Sequence, residues 1–213
     1  LQIKGRDKEY LLAWTTTPWT VPGNVALAVD PKLSYWRMEN EEGERIIFVN
    51  PTASGDLGKE AMLVNRMGLI EGWKKVEELK GKDLIGLEYE APYDDLPAVK
   101  KALRGYTHRV VATDPQILPI DAAEGTGIVH IAPGAGTEDF RLGKKEKLPA
   151  IEEISEEGVF LDGFGFLSGK HVKKAMPIIL DDLEERKLAF KIFAYTHRYP
   201  TCWRCKPELV WRV

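Results

Sequence analysis

The segment EYLLAWTTTPWTVPGNVALAV (residues 9–29) joins two short apolar stretches through a loop rich in threonine and proline. EYLLAW (9–14) and NVALAV (24–29) have the length and composition of short β-strands. Pro18 and Pro22 stop any regular element between them. The same pattern recurs along the chain, where short strands are separated by Pro-Gly, Asp-Pro and Glu-Gly turns.

The remaining predicted elements continue this pattern of short strands with few helices. Helices are predicted at 55–67, 137–147 and 169–187, with Thr137 as the cap of the second and Pro177 as a kink or restart in the third. The other predicted strands lie at 33–38, 45–50, 84–94, 107–113, 127–132 and 188–199. These elements predict a mainly β domain of the α+β class, built as a β-barrel with peripheral α-helices.

Composition limits the class of protein. The 213 residues, 44% apolar and 30% charged, suit one large soluble domain, or one domain with a small appendage. No apolar run is long enough to span a membrane, and the polar start LQIKGRDKEY has no signal-peptide pattern. The chain begins with Leu rather than Met, so we expect a piece of a longer protein. Cys202 and Cys205 are its only cysteines, which excludes a disulfide framework and predicts a reducing, cytoplasmic location.

The charge pattern bears on nucleic-acid binding. A net charge of −3 argues against bulk electrostatic binding of a nucleic acid. Basic residues nevertheless cluster at 100–109, 141–147 and 170–174, while acids collect at 151–157. Such local patches fit a grip on one end of a nucleic acid better than a track along a duplex, and ordinary solvated faces are the equal alternative.

The segment GTGIVHIAPGAGTEDF (125–140) holds two candidate site residues. His130 lies near the end of a short strand that leads through a Gly/Pro loop into a helix, a place typical of functional sites. Taken alone, however, a satisfied core histidine is the commoner case. Asp139 falls in the first helical turn, where an acid favours the helix dipole or binds the ammonium group of a ligand. The loop lacks the lysine and the spacing of a phosphate-binding loop.

Thr15, Thr16 and Thr17 place three hydroxyls on the proline-bounded loop. Each can donate and accept a hydrogen bond, so the run could hold a ligand carboxyl or ribose, or position a water. A turn with local bonds from side chain to backbone is the alternative. No serine or cysteine stands at a known spacing from a base, so covalent catalysis is unsupported. Water is therefore the expected nucleophile of any reaction here.

The segment YPTCWRCKPELVW (199–211) carries Cys202 and Cys205 in a C-x-x-C pattern. Two cysteines at this spacing form half of a four-ligand zinc site. His197 is a remote candidate for a third ligand, and a redox dithiol is the alternative reading. We expect the missing ligands to lie elsewhere in the parent chain.

Three motifs in order, AWTTTPWTVPGNVALAV, GTGIVHIAPGAGTEDF and YPTCWRC…LVWR, resemble the editing insertion of isoleucyl-tRNA synthetases. The resemblance runs nearly end to end. The editing domains of the sister valyl and leucyl enzymes usually have Thr-Thr-Arg-Pro at the first motif, where this chain has Thr-Thr-Thr-Pro-Trp-Thr. The resemblance therefore points to the isoleucyl branch.

The resemblance implies a barrel-like editing domain over 1–198 and a C-terminal connector over 199–213. A hydrophobic pocket cannot strongly exclude a ligand one methylene smaller than its own, and isoleucyl-tRNA synthetases are the standard example of the need for a second, smaller site. The implied activity is hydrolysis of valyl-tRNA(Ile) and valyl-adenylate. The implied partner is the 3′ acceptor end of tRNA(Ile), with no membrane and a monomeric chain. Editing needs no cofactor, and zinc would bind in the full-length protein through Cys202 and Cys205.

The resemblance also assigns roles to individual residues. The residues assigned to catalysis are Thr15, Thr16, Thr17 and Asp139, and those assigned to substrate binding are Trp14, Thr20, Asn24, His130 and Asp139. The threonines would hold the aminoacyl ester and Trp14 would form a wall near the terminal adenosine. His130 would block the larger side chain and Asp139 would bind the α-ammonium group. One position departs from the pattern, since many relatives carry His or Phe where this chain has Ala135.

Three other functions stay open at this point. The first is an insertion that binds the acceptor end of tRNA without catalysing hydrolysis. The second is the editing domain of a sister valyl or leucyl enzyme. The third is a zinc-knuckle interaction module in which Cys202 and Cys205 are the functional residues, and metal analysis would separate it from the others.

Overall fold

A computed structural model of the chain describes residues 1–52, 71–121, 125–196, 199–206 and 208–213. The predicted helix at 55–67 lies outside these residues. The strands are β1 (Glu9–Leu11), β2 (Ala26–Val29), β3 (Ser34–Asn40), β4 (Arg45–Val49), β5 (Trp73–Lys80), β6 (Arg109–Ala112) and β7 (Ile128–Ile131). The helices are α1 (Gly81–Leu84), α2 (Pro97–Leu103), α3 (Thr137–Glu146) and α4 (Val172–Glu185), with 3₁₀ helices at Pro18–Gly23 and Gly165–Leu167.

The described strands form two sheets. One has four strands in the order β1-β4-β3-β5, and the other has three in the order β6-β2-β7. Strand β2 pairs in parallel with β6 and antiparallel with β7, and this register places Leu27 opposite His130. The mainly β class with peripheral helices is confirmed. The predicted barrel closure is not seen among the described strands, which form two open sheets instead.

Strand β2 is buried on both faces, which explains its unbroken apolar sequence. Ala26 and Ala28 face one core cluster, while Leu27 and Val29 face a second. Side chains alternate across a strand, so small alanines on one face allow close packing while larger residues fill the other. Strand β7 pairs with this buried strand, and the pairing fixes the position of His130 relative to the core.

The predicted strand at 84–94 is wrong. Residues 81–84 form α1, and the segment after it makes only isolated bridges, from Glu88 to Arg109 and from Tyr89 to Ile3. The predicted closing strand at 188–199 is also wrong for its described part, which has no strand pairing. Phe190 contacts Trp73 and Phe193 packs on the cluster of Met38, so side-chain contacts replace a hydrogen-bonded ladder there.

Two predictions about helix ends also need correction. Gly136 occupies the N-cap position of helix α3, where no side chain forms a capping hydrogen bond. Thr137 is the first residue of the helix rather than its cap. Helix α4 begins after His171, whose ring accepts a hydrogen bond from the amide of Lys173. It continues through Pro177 to Glu185, so the proline does not restart it.

Helix α4 packs against the 3₁₀ helix Pro18–Gly23 and so supports the threonine loop from outside. None of the helices in the described ranges is both long and apolar enough to cross a lipid bilayer. The last residues return to the domain, because the amide of Val213 donates to the carbonyl of Gly134 at 3.2 Å and Trp211 contacts Phe140.

Candidate functional site

His130 is held from both ring nitrogens. Its Nδ1 lies 2.7 Å from the side-chain nitrogen of Asn24, and its Nε2 lies 3.0 Å from the hydroxyl of Thr20. Both partners come from the proline-bounded loop and its exit, so the first motif and the second meet at this ring. Asn24 and Thr20 are buried, whereas His130 is partly exposed.

Two backbone carbonyls determine which atoms donate in this network. The amide nitrogen Nδ2 of Asn24 donates to the carbonyl of Ala26 at 3.1 Å, which fixes the orientation of the amide because a carbonyl only accepts. Asn24 Nδ2 therefore also donates to His130 Nδ1. The hydroxyl of Thr20 donates to the carbonyl of Thr17 at 2.9 Å, so it accepts from His130 Nε2–H. His130 is thus the neutral tautomer with its proton on Nε2.

The charge state of His130 agrees with this tautomer. Burial lowers the pKa of His130 from 6.5 to about 4, so the ring is neutral at neutral pH. Both nitrogens already have partners, and neither is left to take a proton from water. The ring is therefore suited to act as a fixed wall rather than as a general base.

A cavity of about 510 Å³ lies beside His130, within the range typical of small-ligand pockets. Its polar lining includes Thr15, Thr16, Asn24, Thr126 and His130. Residues of α4 and of the segment after it supply much of the apolar lining. These apolar residues are Met176, Leu180, Leu183, Leu188, Phe190, Ile192 and Phe193.

The three threonines do not play the same part. Thr15 and Thr16 line the cavity, and Thr17 does not. The hydroxyl oxygen of Thr15 accepts the amide of Thr17 at 3.0 Å, a local turn of the kind that the sequence left open. Thr17 serves the site through its backbone, since its carbonyl fixes the hydroxyl of Thr20.

Trp14 lines the cavity and is fixed by its neighbours. Its ring meets Tyr195 edge to face, with the ring centroids 4.9 Å apart. Gly125 lies against the indole with a φ of +71°, and a Cβ there would lie 2.8 Å from the Trp14 ring. The glycine is therefore required both by its backbone conformation and by the close approach of the tryptophan.

Asp139 is not among the residues that line the cavity. Its Oδ2 accepts the amide of Ala132, two residues beyond His130, at 3.0 Å. Burial raises the pKa of Asp139 from 3.8 to about 6, with a further contribution from the nearby charge of Glu138 and an opposing one from the Ala132 bond. No hydrogen bond to Oδ1 is found among the described residues.

Sequence reasoning missed two buried residues next to the site. Tyr89 donates its hydroxyl to Oδ1 of Asn24 at 2.6 Å. Glu153 is 1% exposed, and neither of its carboxyl oxygens has a hydrogen-bond partner in the part of the chain that is described. Its carboxyl lies against Gly23, where an added Cβ would be 2.3 Å from Oε2. Neither residue belongs to a recognisable motif, so no sequence pattern points to them.

Within the described ranges, the zinc hypothesis is supported by two candidate ligands, Cys202 and Cys205. Cys202 is partly exposed and Cys205 is exposed, on a turn closed by the amide of Lys206 donating to the carbonyl of Cys202. The described residues contain no group of three or more histidine, cysteine or acidic side chains that could hold a metal. His197 lies outside the described residues. Two thiols alone do not complete a tetrahedral zinc site.

The most informative relatives are isoleucine–tRNA ligases. The chain is 38% identical over 215 residues to the ligase of Archaeoglobus fulgidus and 40% identical over 211 residues to that of Methanoregula boonei. In both cases 99% of this chain is aligned, but it spans only 19% and 18% of the relatives' own lengths. No protein-family model matches the chain.

Solved structures with a similar fold are synthetase fragments. A crystal structure of GlLeuRS-CP1 matches with a TM-score of 0.62 at 18% identity, over 90% of this chain and 87% of that one. The editing domain of the P. knowlesi cytosolic leucyl-tRNA synthetase matches with a TM-score of 0.54 at 10% identity, over 84% and 82%. By sequence the chain is therefore similar to a segment of the isoleucine–tRNA ligases that makes up 19% of a relative's length, and its fold is similar to that of a leucyl-tRNA synthetase editing domain.

Proposed function

We propose that this chain is an editing hydrolase that cleaves the ester of valyl-tRNA(Ile), and also valyl-adenylate, with a positioned water. The observation that carries this proposal is the neutral His130 ring, held from both nitrogens in the lining of a cavity that Thr15 and Thr16 also line. Similarity to part of the isoleucine–tRNA ligases and the fold shared with a leucyl-tRNA synthetase editing domain support the same activity. The tRNA partner is engaged through its 3′ acceptor end.

The reaction needs no covalent intermediate. The oxygen of water bonds to the ester carbonyl carbon, and the bond from that carbon to the ribose oxygen breaks. The proton that the attacking water loses passes to the ribose oxygen, which releases valine and tRNA with a restored hydroxyl. The hydroxyls of Thr15 and Thr16 position the water and the ester, with help from the neighbouring ribose hydroxyl. His130 is not the base in this mechanism, because both of its nitrogens are already engaged.

Selectivity arises from exclusion. Valine is one methylene smaller than isoleucine, and a pocket that accepts both distinguishes them by only about 1–3 kcal/mol. A wall that clashes with the extra methylene does better, provided that the wall cannot move. Hydrogen bonds on both sides of the His130 ring supply that rigidity.

Asp139 binds the α-ammonium group of the substrate in this proposal. Its Oδ2 is occupied by the amide of Ala132 and its Oδ1 faces no protein donor in the described part of the chain. A charged amine in a partly dry site needs a carboxylate, and such a hydrogen-bonded pair anchors the substrate at one end. Asp139 thereby sets the distance from the amine to the scissile ester.

The test is deacylation of valyl-tRNA(Ile) by this chain, by Asp139→Ala and by Glu138→Ala as a matched control from the same helical turn. We expect activity in the parent chain and in the control, and none in Asp139→Ala, with all three equally folded by circular dichroism. Full activity of Asp139→Ala would contradict the proposal that Asp139 binds the α-ammonium group of the substrate. Binding of the acceptor end without any deacylation by the parent chain would instead indicate a binding insertion.

A further inference from the structure

We propose that Tyr89 is a positioning residue that holds His130 in its neutral Nε2–H tautomer through Asn24, and so contributes to the exclusion of isoleucine. This inference rests on the proposed editing function for its effect on selectivity. Its structural part, the control of the His130 ring, stands on hydrogen bonds alone. Tyr89 itself does not line the cavity, so any effect on a substrate must pass through Asn24.

The contact between Tyr89 and Asn24 is short and buried. Tyr89 has 0% exposed surface, and its hydroxyl lies 2.6 Å from Oδ1 of Asn24. The amide of Asn24 is already oriented by the carbonyl of Ala26, so Oδ1 is an acceptor and the phenol must donate to it. Asn24 is then fully used: one oxygen accepts from Tyr89, and the nitrogen donates to Ala26 and to His130.

These bonds form one directed chain. It runs from the Tyr89 hydroxyl through the Asn24 amide and the His130 ring to the Thr20 hydroxyl, and it ends on the carbonyl of Thr17. Hydrogen bonds in such a chain polarise one another in a buried site. Loss of the phenol leaves the buried Oδ1 of Asn24 without a donor. The amide is then oriented by the carbonyl of Ala26 without the phenol, and a flipped amide, whose oxygen would accept from His130 Nδ1–H, can compete with the arrangement that selects the Nε2–H tautomer.

Tyr89 is itself well placed to act as a fixed anchor. Its backbone bridges to Ile3, and its ring lies 5.4 Å from that of His108. The ring of His108 lies with Nδ1 3.2 Å from the carbonyl of Val25, the residue after Asn24. Tyr89 is therefore linked to two adjacent residues at the end of the loop, directly to Asn24 and through His108 to Val25.

The experiment compares Tyr89→Phe with Tyr35→Phe in this chain. Tyr35 is an equally buried tyrosine of the same core cluster, and its hydroxyl donates to the carbonyl of Gly127 at 2.9 Å instead of to the His130 network. Two quantities are measured. One is the ratio of kcat/KM for deacylation of valyl-tRNA(Ile) to that of isoleucyl-tRNA(Ile), and the other is the tautomer of His130 from the ¹⁵N shifts of its ring.

In Tyr89→Phe we expect the ratio to fall by about fivefold to tenfold, as for the loss of one buried hydrogen bond, and the Nδ1–H tautomer to appear. Tyr35→Phe should change neither quantity. An unchanged tautomer and ratio in Tyr89→Phe, or equal changes in both variants, overturns the proposal. If Tyr89→Phe does not fold, the parent chain still decides the question. Its Tyr89 hydroxyl proton must exchange slowly and show a cross-peak to the Asn24 amide, and absence of that signal overturns the proposal.

Failure of the editing function gives a different result. A parent chain that deacylates neither ester refutes the proposed function, while the ¹⁵N shifts of His130 still report on Tyr89. A double variant of Tyr89→Phe with Asn24→Ala adds a further check. Tyr89 acts on His130 through Asn24, so once the Asn24 amide is removed, loss of the Tyr89 hydroxyl should have no further effect on the ring. We expect the tautomer populations of the double variant to match those of Asn24→Ala alone, and an additional shift contradicts a single chain.

Discussion

The partly buried carboxylate of Asp139 predicts a specific acid limb in the pH dependence of editing. Its pKa is raised to about 6 because burial disfavours the charged form. An ammonium ligand needs the ionised form, and kcat/KM reports the ionisation of the unliganded enzyme. With a pKa near 6, about nine tenths of Asp139 is ionised at pH 7 and about one tenth at pH 5. We therefore expect kcat/KM to fall about tenfold between these values.

The assay is deacylation of valyl-tRNA(Ile) at low substrate, with the uncatalysed hydrolysis at each pH subtracted. The substrate's own α-amino group loses its proton near pH 8, so activity should also fall on the alkaline side and give a bell. Because the pKa of His130 is lowered to about 4, no inflection from that ring is expected in this range.

Substitutions at two residues of the same helical turn, Asp139 and Glu138, test whether ionisation of Asp139 causes the fall in activity at low pH. Asp139→Asn should lose about tenfold to hundredfold in kcat/KM at pH 7, as for a hydrogen bond to a charged group, and its remaining activity should show no acid limb. Glu138→Gln removes a nearby charge that raises the Asp139 pKa, so the limb should move slightly to lower pH. An acid limb that persists in Asp139→Asn would refute the assignment of the amine anchor.

Three further predictions concern the surroundings of the site. Gly23→Ala places a Cβ 2.3 Å from Oε2 of Glu153, so we expect a loss of about 1–3 kcal/mol in urea unfolding, smaller when Glu153→Ala is also present. Burial raises the pKa of Glu153 well above 4.5, so its proton is held more tightly in the folded state. Stability should therefore fall as pH rises above about 4.5, and unfolding of Glu153→Gln at pH 5 and pH 8 should show a weaker fall. Cys202 and Cys205 supply two ligands, so metal analysis should find well under one zinc per chain, and one zinc per chain would contradict this.

The strands that sequence predicted well are those with apolar faces. Ala26–Val29 and Ile128–Ile131 are short runs between turn residues, and burial of both faces or one face explains each pattern. Strand β5 was missed because Trp73–Lys80 is mostly charged and exposed. Among the described strands it pairs with β3 only and lies at the edge of its sheet, where charged side chains are common.

Sequence could name residues that meet around His130, but it could not predict the hydrogen bonds between them. The threonine loop and His130 could be named from two motifs, since strands β2 and β7 pair and bring those motifs together. The hydrogen bonds from Asn24 and Thr20 to the ring depend on side-chain directions that no spacing reports. Tyr89 was out of reach for a related reason, because its segment was assigned to a strand and its partner is 65 residues away in sequence.

Selectivity between the two esters tests the central claim most directly. The measurement is the rate of deacylation of valyl-tRNA(Ile) and isoleucyl-tRNA(Ile) by the parent chain and by His130→Ala. If His130 is the wall that excludes the larger side chain, the parent chain cleaves only the valyl ester and His130→Ala cleaves both. Continued protection of isoleucyl-tRNA(Ile) by a His130→Ala variant that still cleaves the valyl ester would contradict the account.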